Sequence, residues 1–366
     1  MGEKFRFQNL DSIRTIAFLS TFCAHAFYTQ SDIIADSSAF KFAISFSHFF
    51  SFGVPIFFVL SGFLITFLML KEQQEKNYFN LKHFYLRRVL RIWPIYFVVL
   101  IFGFVVFPII RLYVLHLPTG ETANPIMYAL FLSNFDQLAQ ETLPFGVGLG
   151  PTWSVSVEEQ FYLFWPLILL LFPKKRFGLA VLITLISSVL ISYSFDLVAK
   201  NTVHCMIYLS SGALFGYLVY YHKNRIEKLT NISTGLFIGV LFLLFGSIYA
   251  SINGIGSYLS VALIALLIGY IIAFQVQNKR FQFKKIPFFE RLGKYTYGLY
   301  LFHVICNFIT HTVFDDIIHL PESQLSVLLI KPIVSLGLSL LVSILSYRYF
   351  ESYFLKLKLK FSPLKN

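Results

Sequence analysis

Residues 10–28 read LDSIRTIAFLSTFCAHAFY, and this stretch decides how the rest of the chain is organised. It is apolar enough to cross a bilayer, yet it carries Asp11, Arg14 and His25. At roughly 100° per residue, Arg14 and His25 fall within about 20° of one helix face and about 16 Å apart along the axis. Asp11, Phe18, Thr21 and Phe22 lie near the same stripe. Ionisable groups inside a membrane helix are costly, so the stripe should face protein or a water-filled cavity and serve a function.

The composition agrees with a membrane setting. Hydrophobic residues make up 57% of the 366 and charged residues only 13%, about half the charge of an ordinary soluble domain. Apolar runs of about 20 residues recur to the end of the chain, which predicts an all-α, polytopic bundle forming one membrane domain over 1–366. The net charge of +12 comes from basic residues in short loops between those runs, a topology signal rather than a nucleic-acid surface. Cys23, Cys205 and Cys306 all lie in apolar runs without CxxC spacing, so neither a disulfide framework nor a metal site is expected. The first run lacks a small-residue cleavage pattern and reads as a retained span.

Ten spans are expected, near 10–30, 45–70, 91–106, 154–172, 178–196, 202–221, 231–250, 257–275, 292–313 and 326–350. The stretch 123–153 is too short and too rich in Gly and Pro to cross, and reads as a partial or re-entrant helix followed by a loop. With both termini cytoplasmic, the basic segments after the even-numbered spans all fall inside, ending with LKLKLK at 355–360. The acidic loops around Asp32 and Asp36, and around Asp315, Asp316 and Glu322, then fall outside.

Several groups could carry chemistry. His25 has small neighbours and could move a proton to or from a hydroxyl; the alternative is a structural histidine bonded across helices. Asp11 and Arg14, spaced i, i+3, could pair or could hold an anionic or carbonyl group. Arg87, Arg88 and Arg91 form a cluster suited to phosphates, or equally to topology and lipid headgroups. In TWSVSVEEQFY, residues 152–162, Glu158 and Glu159 open a span. One carboxylate would suffice for capping, so at least one is expected to function. Ser61-Gly62 favours close helix approach, His303 is a second intramembrane histidine with either a structural or a functional role, and Glu351 could pair with Arg348.

In order along the chain, LDSIRTIAFLSTFCAHA, GVPIFFVLSGFLIT, LRRVLRIWPIY, TWSVSVEEQFYLFWP, LGKYTYGLYLFH and SYRYFES resemble the motifs of the acyltransferase-3 family of integral membrane acyltransferases. The resemblance covers most of the chain. It departs at Ser12, where Gly is common, at Pro55, and after His303, where VIC replaces a frequent Trp-Pro. It implies acyl transfer, often acetyl, from a cytoplasmic donor such as acetyl-CoA to hydroxyls of carbohydrates or lipid-linked glycans. It also implies His25 as the essential catalytic residue and Arg14, Arg88 and Arg91 on the donor side.

The resulting expectation is an O-acyltransferase in the bacterial cytoplasmic membrane. Arg14, Arg87, Arg88 and Arg91 would receive the donor phosphates and His25 would act as base or acyl carrier. Glu158 or Glu159, with Asp11, Trp153, Ser154 and Tyr162, would handle substrate, the carboxylates from the outer side. Membrane lipids are expected as surroundings, with no metal and no nucleic acid. No SGNH-type hydrolase domain follows, so an acceptor handled by such a domain is not expected. The rival reading is a transporter that uses the Arg/His stripe for substrate or proton passage.

Overall fold

The computed structural model describes residues 7–49, 51–172, 176–231, 239, 257–277 and 287–361, and among these the regular structure is entirely helical. Ten helices frame the site: α1 Gln8–His25, α2 Gly53–Lys76, α3 Leu81–Ile101, α4 Thr152–Leu171, α5 Phe177–Ser194, α6 Thr202–Tyr221, α7 Ser257–Gln277, α8 Thr296–Thr312, α9 Lys331–Ser346 and α10 Ser352–Leu359.

Seven helical stretches among the described residues are long and apolar enough to span a membrane. They make the chain a multi-pass membrane protein. Three of the ten expected spans are not among them. The run 231–250 lies, apart from residues 231 and 239, outside the described residues. Helices α1 and α4 form as expected but are not among the seven. They are the two that carry Asp11 with Arg14, and Glu158 with Glu159, which dilute their apolar character.

The stretch 123–153 holds two short helices, Pro125–Ala129 and Ser133–Ala139. Seven residues rise only about 10 Å, too little to cross a bilayer. Their irregular backbone is satisfied inside protein, as a low-dielectric setting demands. Tyr96 donates its hydroxyl to the Tyr128 carbonyl at 2.8 Å, and Gln137 Nε2 donates to the Gly150 carbonyl at 3.1 Å.

Helices α2 and α6 approach each other closely at two glycines. Gly62 faces the Leu209 carbonyl, and Gly212 faces the Val59 carbonyl, so a Cβ at either position would overlap backbone. The small-residue seam lets dispersion contacts replace the hydrophobic drive that is missing between helices in lipid. One turn along, Trp165 of α4 donates Nε1 to Thr66 Oγ1 of α2 at 2.8 Å.

Gly212→Val should therefore force α2 and α6 apart and destabilise the bundle by on the order of 1–3 kcal/mol. Thermal unfolding in detergent checks this. A midpoint equal to the wild type would show that the seam is not tight.

Candidate active site

α1 ends at His25, and the ring of His25 is exposed while its partner is buried. His25 Nδ1 lies 3.0 Å from Nε2 of His303 on α8, with the two rings stacked at 5.2 Å between centroids. His303 Nδ1 lies 2.6 Å from the Tyr300 carbonyl. A carbonyl only accepts, so His303 Nδ1 carries a proton. With both rings neutral, His303 Nε2 then accepts from His25 Nδ1–H, and His25 Nε2 is left with a free lone pair. Phe18 and Phe22 wall the His303 ring at 6.2 and 6.4 Å. Asn307 Nδ2 donates to the His25 carbonyl at 2.9 Å and Asn307 Oδ1 accepts from Ser335, so α8 and α9 together fix the end of α1.

The other end of the stripe opens into a cavity. Arg14 Nη1 pairs with Asp11 at 2.5 Å, the i, i+3 arrangement its spacing allowed. Arg14 joins Arg88 and Arg91 of α3 around a space of about 410 Å³, with Asp11 on the same wall. A narrower cavity of about 90 Å³ shares the three arginines and leads on past Ser61, Glu158, Tyr162 and Tyr300. The Arg88 guanidinium lies 5.5 Å from the ring centres of Phe84 and Tyr162, and its Nε is buried without a hydrogen-bond partner among the described residues.

Glu158 is held by hydroxyls. One oxygen accepts from Ser61 at 2.7 Å and the other from Tyr162 at 2.8 Å. It shares the cavity of Arg14, Arg88 and Arg91, roughly one and a half turns in from the start of α4. Ser154 bonds the Tyr300 hydroxyl at 2.6 Å in the same cavity.

Four expected site residues are placed elsewhere. Glu159 accepts from Trp93 at 3.1 Å. Trp153 packs edge-on to Phe58 at 6.0 Å. Arg87 lines neither arginine cavity; it pairs with the buried Glu72 at 2.8 Å and donates to the Phe361 carbonyl at 2.8 Å. His25 also lies off the lining of both, beyond Tyr300. Glu351 is buried and accepts from Ser346 at 3.4 Å, with no pair to Arg348 among the described residues. No three His, Cys, Asp or Glu gather as metal ligands among the described residues.

Sequence reasoning left His303 undecided and passed over Tyr300. Their signal was the cost of a second buried imidazole, which needs a partner. Tyr300 and His303, i, i+3 on α8, join the cavity to the histidine pair: the Tyr300 hydroxyl lines the cavity while its carbonyl holds His303.

Beyond His25 the chain is tied by a polar network. Glu322 accepts from Thr29 at 2.6 Å, from the Ser31 amide at 3.1 Å and from Lys331 at 3.1 Å, and Lys331 also pairs with Asp315 at 2.6 Å. Burial alone would raise the Glu322 carboxyl, but Thr29, Lys331 and the Ser31 amide together hold it below its usual range.

A sequence profile of the acyltransferase-3 family, described as an acyltransferase domain, matches residues 7–348. The "Putative O-acetyltransferase" of Staphylococcus aureus (strain COL) is 31% identical over 170 residues, 43% of this chain and 27% of that protein. The "Peptidoglycan O-acetyltransferase OatA" of Listeria monocytogenes (strain EGD-e) is 33% identical over 126 residues, 33% of this chain and 20% of that protein. An uncharacterized protein of Haemophilus influenzae is 39% identical over 127 residues, 33% of this chain and 50% of that protein. The chain thus spans between a fifth and a half of the length of these relatives. No solved structure matches the chain.

Two outcomes follow from the ion pairs. Arg87→Ala should cost on the order of 3–5 kcal/mol by leaving Glu72 buried and unpaired. Adding Glu72→Ala should recover part of that, so a double-mutant cycle on unfolding midpoints shows strong coupling; additive losses would mean the pair is not formed. The lowered carboxyl of Glu322 stabilises the fold fully above the ordinary value of 4.5, and that contribution fades as pH falls through the lower folded value. Glu322→Gln should thus lower the unfolding midpoint at pH 7 and narrow the gap between variant and wild type on acidification. A gap that stays constant with pH would argue against it.

Proposed function

Because the chain belongs to the acyltransferase-3 family, we propose that it is a membrane O-acyltransferase moving an acetyl group from acetyl-CoA to a hydroxyl of a cell-envelope carbohydrate. One observation carries this reading. A cavity lined by three arginines shares them with a narrower cavity that Tyr300 also lines, and the Tyr300 carbonyl anchors the histidine pair. Arg14 and His25 are about 16 Å apart along α1. A donor spanning them needs a charged end and a reactive end far apart, as in an acyl-CoA.

The chemistry is a direct transfer. The acceptor hydroxyl oxygen attacks the thioester carbonyl carbon as His25 Nε2 takes the hydroxyl proton. The C–S bond then breaks, and His25 returns the proton to the departing thiolate. His303 is a positioning residue: it accepts from Nδ1 and so keeps the Nε2 lone pair on the exposed side. Arg14, Arg88 and Arg91 bind phosphate, where guanidinium groups make bidentate contacts. The hydroxyls of Ser61, Tyr162 and Tyr300 and the Glu158 carboxylate offer hydrogen bonds to the amide-bearing arm of the donor. The name of the Listeria relative supports a glycan acceptor, and the multi-pass helices support a site in the cytoplasmic membrane.

Transfer of radiolabelled acetyl from acetyl-CoA to envelope glycan in membrane vesicles tests the reading. His25→Ala should lose at least about 100-fold in rate. His303→Asn should lower kcat while leaving the KM for acetyl-CoA near the wild-type value. Full activity in His25→Ala would remove it as the base, and equal losses in kcat and donor binding for His303→Asn would make that residue structural. Solute flux across the vesicle without label transfer would favour a transporter.

A further inference from the structure

The basic end of the chain, LKLKLK, does more than mark a cytoplasmic face. After α9 the chain passes through a π-helical turn, Tyr347–Glu351, and continues as α10. This segment reaches past residue 348, where the family match ends. Tyr347, Glu351, Leu355 and Lys358 recur at intervals of four, four and three residues, one face of a helix. All four line the wide arginine cavity. Lys356 lies on another face and is exposed.

Helix α10 is held against α3. Arg87 donates to the Phe361 carbonyl at 2.8 Å, and the Phe361 ring packs on His83 at 5.5 Å. Arg87 is itself fixed by Glu72. The anchored helix thus delivers a fifth cation to a space already lined by Arg14, Arg88, Arg91 and Lys294. Against these five stand two carboxylates, Asp11, which is engaged by Arg14, and Glu351, which is bonded to Ser346. Like charges this close repel each other in a medium of low dielectric. The buried Nε of Arg88, without a hydrogen-bond partner among the described residues, marks the same shortage of acceptors. A ligand bearing more than one phosphate relieves both.

We infer that Lys358, carried on α10 to the wall of the arginine cavity, is a binding residue for the polyphosphate end of the donor. The inference rests on the acyl-CoA reading above and adds to it a residue outside the family's matched span. The same cations would also suit an anionic lipid headgroup, and the experiment separates the two.

The full-length protein is placed in nanodiscs of phosphatidylcholine alone, and coenzyme A is titrated by calorimetry at two salt concentrations. Lys358→Ala and the longer Lys358→Gln, which preserves packing, should each weaken coenzyme A binding by about tenfold and reduce its salt dependence. Lys358→Arg should restore binding, and Lys356→Ala should match the wild type. Equal affinity in the wild type and both neutral variants would overturn the assignment while leaving the donor reading intact. A defect that appears only when phosphatidylglycerol is added would give Lys358 to lipid headgroups and also overturn it. A wild type that binds no coenzyme A would sink the donor reading itself.

Discussion

Arg88 and Arg91 stand inside a helical bundle with no carboxylate paired to either among the described residues. That imbalance is the constraint on which the rest of the site depends. Of the nearby acids, Asp11 is paired to Arg14 and Glu72 to Arg87, while Glu158 is held by the hydroxyls of Ser61 and Tyr162 and Glu351 by Ser346. Burying a charge without a partner is among the costliest things a protein can do. The cavity leaves that space polar and open instead of filling it with side chains. A cavity whose lining carries more cations than carboxylates is preorganised for an anion.

The two ends of α1 then divide the work. Arg14 joins the cationic cavity, whereas His25 sits at the opposite end with its ring exposed and its other nitrogen tied to a buried histidine. Between them stand Phe57 and Tyr300, packed edge to face at 5.7 Å, with Phe18 and Phe22 around His303. These packed rings form an aromatic partition between the cationic cavity and the histidine pair. Burial of His303 in a low-dielectric setting also strengthens the hydrogen-bond chain from Tyr300 through His303 to His25.

Much of this was legible in the sequence because helical periodicity is local. The Arg14/His25 stripe, the i, i+3 pair of Asp11 with Arg14, the close approach at Gly62 and the partial helices in 123–153 all follow from spacing within one segment. Hydropathy alone marks fewer spans than the pattern of runs and basic loops: α1 and α4, which carry Asp11 with Arg14 and Glu158 with Glu159, are not among the seven most apolar stretches of the described residues. Partnerships between distant segments were not legible. His25 and His303 are 278 positions apart, and Ser61 and Glu158 are 97 apart. Such pairs are decided by which helix faces meet, and a single sequence carries no record of that.

Arg87 shows how sharply the helix divides adjacent residues. It neighbours Arg88 in the chain, but a step of about 100° turns it from the cavity toward Glu72 and the Phe361 carbonyl. A phosphate ligand was expected there, and the structure has a buried strut. Yet the strut bears on the same function. By holding the end of α10 on α3, Arg87 fixes the wall from which Lys358 and Glu351 face Arg88 and Arg91. Consecutive arginines thus act on one cavity in two ways, one by lining it and the other by fastening the helix that completes it.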